Sequence, residues 1–143
     1  MTEKRHISWE EFHRDTRELC AKIKKSGNYD KIVAVSRGGL LPAGILAYEL
    51  NIRNTAVVNM STYDGEVRRE AEGFQLAAAE VGKVDEHTLI VDDLSDTGNT
   101  CNLLRPLFHQ AQFVTVYVKP NGRSAVDVYG REMPDCWLVF PWD

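Results

Sequence analysis

The chain lacks the patterns that mark several large classes of protein. No apolar run in its 143 residues approaches membrane-spanning length, and the N-terminus has no apolar signal core. It contains neither the Gly-Lys-Ser/Thr loop of nucleoside-triphosphate enzymes nor the Gly-x-Gly-x-x-Gly of dinucleotide-binding folds. The formal net charge is −4, so the chain has no cationic excess for non-specific nucleic-acid binding.

Cysteine is also scarce, with only Cys20, Cys101 and Cys136. Their spacing matches no zinc motif, and we predict reduced thiols in a cytoplasmic protein. The chain contains no repeat or linker, and 43% of it is hydrophobic. We therefore predict one domain over residues 1–143.

Strands alternate with helices, which predicts an α/β fold with a mostly parallel, doubly wound sheet flanked by helices. Ligands of such sheets lie at the carboxyl ends of the strands. The stretch 61–73 is polar and predicts a flexible loop. Strands are predicted at 31–36, 55–60, 87–91, 113–118 and 137–140, and helices at 9–25, 42–50 and 98–109.

The richest chemistry follows the third predicted strand. Asp96-Thr-Gly-Asn-Thr100 leads into a helix, so backbone amides and two threonine hydroxyls converge where an anion of phosphate size would bind. The alternative is an ordinary capped helix, which needs only one such residue.

Asp92 and Asp93 precede this loop. Adjacent carboxylates on a strand point to opposite sides, and both can reach vicinal hydroxyls or a hard cation such as Mg²⁺. The alternatives are a solvated strand end and the receiver domain of two-component signalling. A receiver domain carries its acidic pair on its first strand, whereas this pair comes late in the chain.

Three further features lie at the same predicted edge of the sheet. Arg37-Gly38-Gly39 suggests a tight turn with amides for a second anion, although glycines after a strand are common in turns. Lys119 could donate to a ligand carbonyl or be a solvated end residue. Trp137 could stack on a planar base or lie in the core.

The stretch Leu-Ile-Val-Asp-Asp-Leu-Ser-Asp-Thr-Gly-Asn-Thr at 89–100 resembles the phosphoribosyl-pyrophosphate (PRPP) motif of type I phosphoribosyltransferases. Ser95 departs from the motif, which usually has an apolar residue there. The stretches 35–44, 119–123 and 141–143 extend the resemblance over nearly the whole chain. Within the family it is strongest to the bacterial enzymes that act on xanthine and guanine. It implies the type I fold, with a small hood built from the chain termini.

The resemblance implies a site for PRPP. Residues 96–100 would hold the 5′-phosphate, Asp92 and Asp93 the ribose hydroxyls, and 36–38 the pyrophosphate. In relatives a cis peptide bond typically belongs to this last loop. The stretch 61–73 would be a lid, with Thr62, Tyr63 and either Arg68 or Arg69 near the pyrophosphate. The implied PRPP-binding residues are Ser36, Arg37, Gly38, Arg69, Asp92, Asp93, Asp96, Thr97, Gly98, Asn99 and Thr100.

The resemblance also implies a purine site and a metal site. Lys119 would donate to purine O6, Trp137 would stack on the base, and the Leu138 backbone would read the C2 substituent. The implied cofactor is Mg²⁺. Asp92 and Asp93 would hold one ion around the ribose hydroxyls, and Asp143 would help hold a second ion on the pyrophosphate.

The implied reaction is purine salvage: PRPP and a 6-oxopurine (xanthine, guanine or hypoxanthine) give a nucleoside 5′-monophosphate and pyrophosphate. Asp96 is the candidate for taking the purine N7 proton. The alternatives are a hypoxanthine-preferring relative and a non-catalytic PRPP-sensing regulator of the same fold. The resemblance further implies a homo-oligomer, dimeric or tetrameric, without nucleic acid. It allows loose peripheral association with the inner membrane.

Overall fold

The computed structural model describes residues 3–60 and 81–143. A five-stranded sheet lies at its centre, with every strand parallel to its neighbours, in the order third, second, fourth, fifth, sixth. The strands are β1 Lys4–His6, β2 Lys31–Ser36, β3 Asn54–Asn59, β4 Thr88–Ser95, β5 Gln112–Val118, β6 Val128–Glu132 and β7 Trp137–Val139. The helices are α1 Trp9–Ser26, α2 Leu40–Glu49, α3 Asn99–Leu104 and a 3₁₀ helix at Pro120–Ala125.

Alternate residues of the central strands face two separate hydrophobic cores. Ile32 and Leu89 pack in the core that contains residues of α1 and α2. Val33 and Ile90 pack in the other core, which contains Leu104 of α3. Because helices cover both faces of a parallel sheet, the predicted α/β, doubly wound fold is confirmed.

Strands β1 and β7, from near the two ends of the chain, pair in parallel as a separate two-stranded sheet. This sheet is the predicted hood. Helix α1 starts beside it, where the Ser8 hydroxyl accepts a hydrogen bond from the Glu11 amide at 3.1 Å. The Trp142 ring stacks on Phe140, with centroids 4.7 Å apart, and meets Phe12 of α1 edge-on at 4.9 Å. These contacts fix the last residues against the first helix.

Two predicted boundaries were wrong at the site. Strand β4 does not stop at residue 91, because its pairing with β5 continues from Asp92, opposite Thr115, to Ser95. Helix α3 ends at Leu104 rather than at residue 109, because Pro106 has no amide hydrogen and cannot continue the helical hydrogen bonds. Asp92 and Asp93 therefore belong to a strand, and the helix that follows the loop after β4 is short.

Other elements differ from expectation for local reasons. Helix α2 starts at Leu40, two residues before Pro42, since proline is tolerated in a first helical turn. The edge strand β6 was not predicted, because its sequence Val-Tyr-Gly-Arg-Glu has a glycine and two charges.

No helix in the described part of the chain is long and apolar enough to cross a membrane.

Candidate active site

The loop after β4 encloses a small cavity of about 90 Å³ lined by residues 94–101. Gly98 has φ +87°, in the left-handed region that favours glycine, and a Cβ there would lie 2.8 Å from the Cβ of Ala125. The Asn99 amide donates to the Thr97 hydroxyl oxygen at 3.3 Å, so that hydroxyl can donate its own hydrogen to a ligand. Helix α3 has only six residues, so an anion bound here would be held by the loop amides and hydroxyls more than by a helix dipole. We call residues 96–100 the anion cradle.

Asp92 and Asp93 form a partly buried acidic pair in the second half of β4. Burial and the neighbouring Asp93 charge raise the pKa of Asp92 well above its usual range. Burial also raises the pKa of Asp93, and the charge of Asp143 adds to that effect. Neither carboxylate forms an ion pair within residues 3–60 and 81–143. Two uncompensated carboxylates in such a place are suited to a cation or to donating hydroxyls.

The turn at residues 36–39 packs directly on this acidic strand. Its Ser36–Arg37 peptide bond is cis, as the resemblance implied. A Cβ on Gly38 would lie 2.6 Å from a carboxylate oxygen of Asp93. A Cβ on Gly39 would lie 2.2 Å from the Val91 carbonyl oxygen, so the close approach to β4 requires glycine at both positions.

Lys119 follows β5 and is only 7% exposed, so it is not an ordinary solvated lysine. Its Nζ lies 3.3 Å from Oδ2 of Asp96 in the anion loop. The Lys119 ammonium group has three hydrogens, and one of them is donated to Asp96. Within the described residues, the other two hydrogens have no protein acceptor. A buried cation with free donors therefore lies beside a carboxylate, an arrangement that can hold adjacent acceptor and donor atoms of a ligand.

The remaining predicted site residues in the described part of the chain are two residues of hood strand β7 and Asp143. Trp137 is 60% exposed, which excludes the core interpretation of this ring. Leu138 is buried, and its backbone pairs with Arg5 of β1. Asp143 accepts a hydrogen bond from the Phe140 amide at 2.9 Å, and its charge reaches Asp93. The charge of Asp143 thus adds to the negative charge of the acidic pair.

Comparison with known proteins decides the family. The model of the phosphoribosyl transferase domain matches residues 8–142. The chain belongs to the phosphoribosyltransferase family. It is 46% identical to a xanthine-guanine phosphoribosyltransferase of Idiomarina loihiensis over 96% of this chain and 85% of that one. A protein of the same name from Chromohalobacter salexigens is 42% identical, and the match covers 96% of this chain and 82% of that one. A purine phosphoribosyltransferase structure from Pyrococcus horikoshii has TM-score 0.76 at 26% identity, covering 98% and 93% of the two chains.

The stretch 89–100, which resembles the PRPP motif of the family, therefore forms most of strand β4 and the loop after it. Thr62, Tyr63, Arg68 and Arg69 lie outside the described residues. The 3₁₀ helix after Lys119 was missed, although it packs against the cradle. The only signal for this packing was Ser95, the polar residue at a usually apolar position of the motif.

Proposed function

We propose that the chain transfers the 5-phosphoribosyl group from PRPP to a 6-oxopurine, with xanthine and guanine as substrates and hypoxanthine as a third. The Asp96–Lys119 pair beside the anion cradle carries this proposal. In a 6-oxopurine, O6 accepts a hydrogen bond and the neighbouring N7 can carry a hydrogen. A lysine donor and a carboxylate acceptor 3.3 Å apart match these two adjacent atoms. The relatives named xanthine-guanine phosphoribosyltransferase support the choice of bases.

In the proposed reaction the bond from C1′ to pyrophosphate breaks as purine N9 attacks C1′. Asp96 accepts the N7 proton, and the bonding electrons leave with pyrophosphate. Residues 96–100 hold the 5′-phosphate, and Ser36, Arg37 and Gly38 bind the departing pyrophosphate. Trp137 stacks on the base, and the Leu138 backbone contacts its C2 substituent. Arg69, outside the described residues, is proposed to bind pyrophosphate.

We propose Mg²⁺ as the cofactor, with one ion held by Asp92 and Asp93 and a second ion held by Asp143. Carboxylate oxygens are hard ligands, and the two strand acids have no other cation among the described residues. No group of three or more ligating side chains converges in the described part of the chain. This suits a metal that takes one or two carboxylates and completes its shell with water and substrate oxygens. Bound Mg²⁺ would neutralise charge on the leaving pyrophosphate.

The raised pKa values predict how metal binding depends on pH. Mg²⁺ needs ionised carboxylates, so protons compete with it more strongly as the pH falls through the raised pKa of Asp92. We expect Mg²⁺ affinity to increase with pH as Asp92 ionises, with protons released on binding. Titration calorimetry in two buffers of different ionisation enthalpy measures that release. Release that is absent from wild type, or unchanged in Asp92→Asn, contradicts the assignment.

The same shift predicts a stability effect in metal-free protein. Because the folded-state pKa of Asp92 is raised, its contribution to stability is present below the unfolded pKa and is lost as the pH rises through the folded one. The Asp92→Asn variant should therefore gain melting temperature relative to wild type as the pH rises. A difference in melting temperature between Asp92→Asn and wild type that does not vary with pH would contradict the raised pKa of Asp92.

We also propose a homo-oligomer in the cytoplasm that binds small molecules and not nucleic acid. Helix α2 has the sequence Leu-Leu-Pro-Ala-Gly-Ile-Leu-Ala-Tyr-Glu, and helices this apolar on all sides are normally buried. It lines, with edge strand β3, a cavity of about 520 Å³. Tyr48 is 92% exposed and Leu40 and Val57 are each 42% exposed on this surface. A second copy of the chain would cover this apolar surface.

Tyr48→Glu should weaken that association, because a charge would be buried in an apolar interface. Light scattering after size exclusion should show a mass shift toward the monomer. Gln110→Glu adds the same charge at an exposed position elsewhere and should leave the mass unchanged. A monomeric wild type, or an unchanged mass in Tyr48→Glu, contradicts the proposed interface.

Mass spectrometry of the products tests the enzymatic assignment against the two alternatives. Incubation with PRPP, Mg²⁺ and guanine should accumulate guanosine monophosphate over many turnovers. A non-catalytic regulator would bind PRPP without forming product. A hypoxanthine-preferring enzyme would form inosine monophosphate from hypoxanthine in preference to products from xanthine and guanine in a mixture of the three bases.

A further inference from the structure

Ser95, the departure from the family motif, makes a buried contact with the turn that follows Lys119. Its side chain donates a hydrogen bond to the Gly122 carbonyl at 2.8 Å, and the residue is only 4% exposed. Its own carbonyl accepts from the Lys119 amide at 3.0 Å. Ser95 therefore binds Lys119 through its backbone and the 3₁₀ helix through its side chain. The next residue along the chain is Asp96.

The two segments also fit each other closely in shape. A Cβ on Gly122 would lie 2.1 Å from the Ser95 carbonyl oxygen. Only glycine, which has no Cβ, can approach Ser95 this closely without a clash. On the other side of the contact, a Cβ on Gly98 would lie 2.8 Å from Ala125. The anion cradle and the 3₁₀ helix are thus in contact at two points, one on each side of Asp96.

We infer that Ser95 is a positioning residue that sets the distance between the phosphate cradle and Lys119. The inference rests on the proposed function, in which these two places bind the two ends of one ligand. The hydroxyl restrains the segment after Lys119 against the strand that leads into the cradle. An apolar side chain could fill the same space but could not make the hydrogen bond to Gly122.

This role predicts different effects on ligands of different length. A purine nucleoside monophosphate has its phosphate in the cradle and its base at Lys119, so it needs both subsites at a fixed distance. Ribose 5-phosphate has no base and needs the cradle alone. If the restraint is removed, the longer ligand must order the two subsites when it binds, and this cost lowers its affinity. Ribose 5-phosphate does not bear this cost, because it uses one subsite.

The test is Ser95→Ala, which removes one oxygen and adds no bulk. We expect guanosine monophosphate affinity, measured by calorimetry, to fall about fivefold, which is the effect of one net hydrogen bond. Ribose 5-phosphate affinity should stay within about twofold. Thr16→Val is the matched control, because it removes another buried hydroxyl-to-carbonyl bond, from Thr16 to Phe12 at 2.7 Å, in α1. That variant should lose thermal stability without changing either affinity.

Gly122→Ala is the stronger variant, since the added Cβ must push the two segments apart. It should lose more guanosine monophosphate affinity than Ser95→Ala while still binding ribose 5-phosphate. Unchanged guanosine monophosphate binding in Ser95→Ala, or an equal loss for both ligands, overturns the positioning role alone. A wild type that binds neither ligand overturns the proposed function and the positioning role together.

Discussion

Asp96→Asn is expected to lower turnover by about 10²–10⁴-fold, the usual range for loss of a general base. The amide keeps the size of the side chain but cannot take a proton from purine N7. PRPP affinity should stay within about threefold, because the cradle amides and the hydroxyls of Thr97 and Thr100 remain in place. Single-turnover kinetics with PRPP and guanine, together with calorimetric PRPP binding, separates the two effects.

The matched control is Asp30→Asn, at an exposed position just before β2, at the end of the sheet away from the cradle. It changes the net charge by the same amount and should leave turnover unchanged. Turnover of Asp96→Asn within a few-fold of wild type would remove Asp96 from the proton-accepting role. A large loss of PRPP affinity would instead make Asp96 a binding residue.

Lys119 is expected to determine the choice between 6-oxo and 6-amino purines. Wild type should prefer guanine to adenine by at least about 10³-fold in kcat/KM, because a buried ammonium cannot pair with an amino donor. Lys119→Met should lower kcat/KM for guanine by about 10- to 150-fold, which corresponds to a hydrogen bond with a charged group. The kcat/KM for adenine should change much less, so the preference of the enzyme for guanine over adenine becomes smaller.

Initial rates with both bases at saturating PRPP measure this preference. Lys25→Met, at the exposed end of α1, serves as the control for loss of a lysine charge. Adenine used as well as guanine by wild type would make the Lys119 assignment wrong. An equal loss for both bases in Lys119→Met would mean that the lysine acts on the fold or on PRPP instead.

Much of this fold was predictable because its strands are short β-branched runs between helix signals. Strand β2 occupies the residues that the sequence predicted, since Ile-Val-Ala-Val is buried along its whole length. Pairing of β4 with β5 depends on long-range contacts, and so a prediction from local apolar content stopped four residues early. The edge strand β6 and the hood strand β1 are short and polar, and only their partners make them strands.

The candidate site was predicted for a similar reason. Asp92, Asp93 and residues 96–100 lie within nine residues of one another, so one motif contained most of the candidate residues. The pairing of Lys119 with Asp96 spans 23 residues. The strand pattern placed both residues at one edge of the sheet, and only the resemblance assigned them to neighbouring atoms of a purine. The contact from Ser95 to Gly122 spans 27 residues, and no sequence periodicity encodes a hydrogen bond at that separation. Burial of Lys119 also follows from tertiary packing alone.

Pyrophosphate release tests the central claim most directly. Protein with PRPP and Mg²⁺ is given xanthine, guanine, hypoxanthine or adenine in separate reactions, and a fifth reaction has no base. The account predicts sustained release with xanthine and guanine, together with only background release with adenine or no base. Background release with all four bases, or adenine as the best substrate, would contradict it.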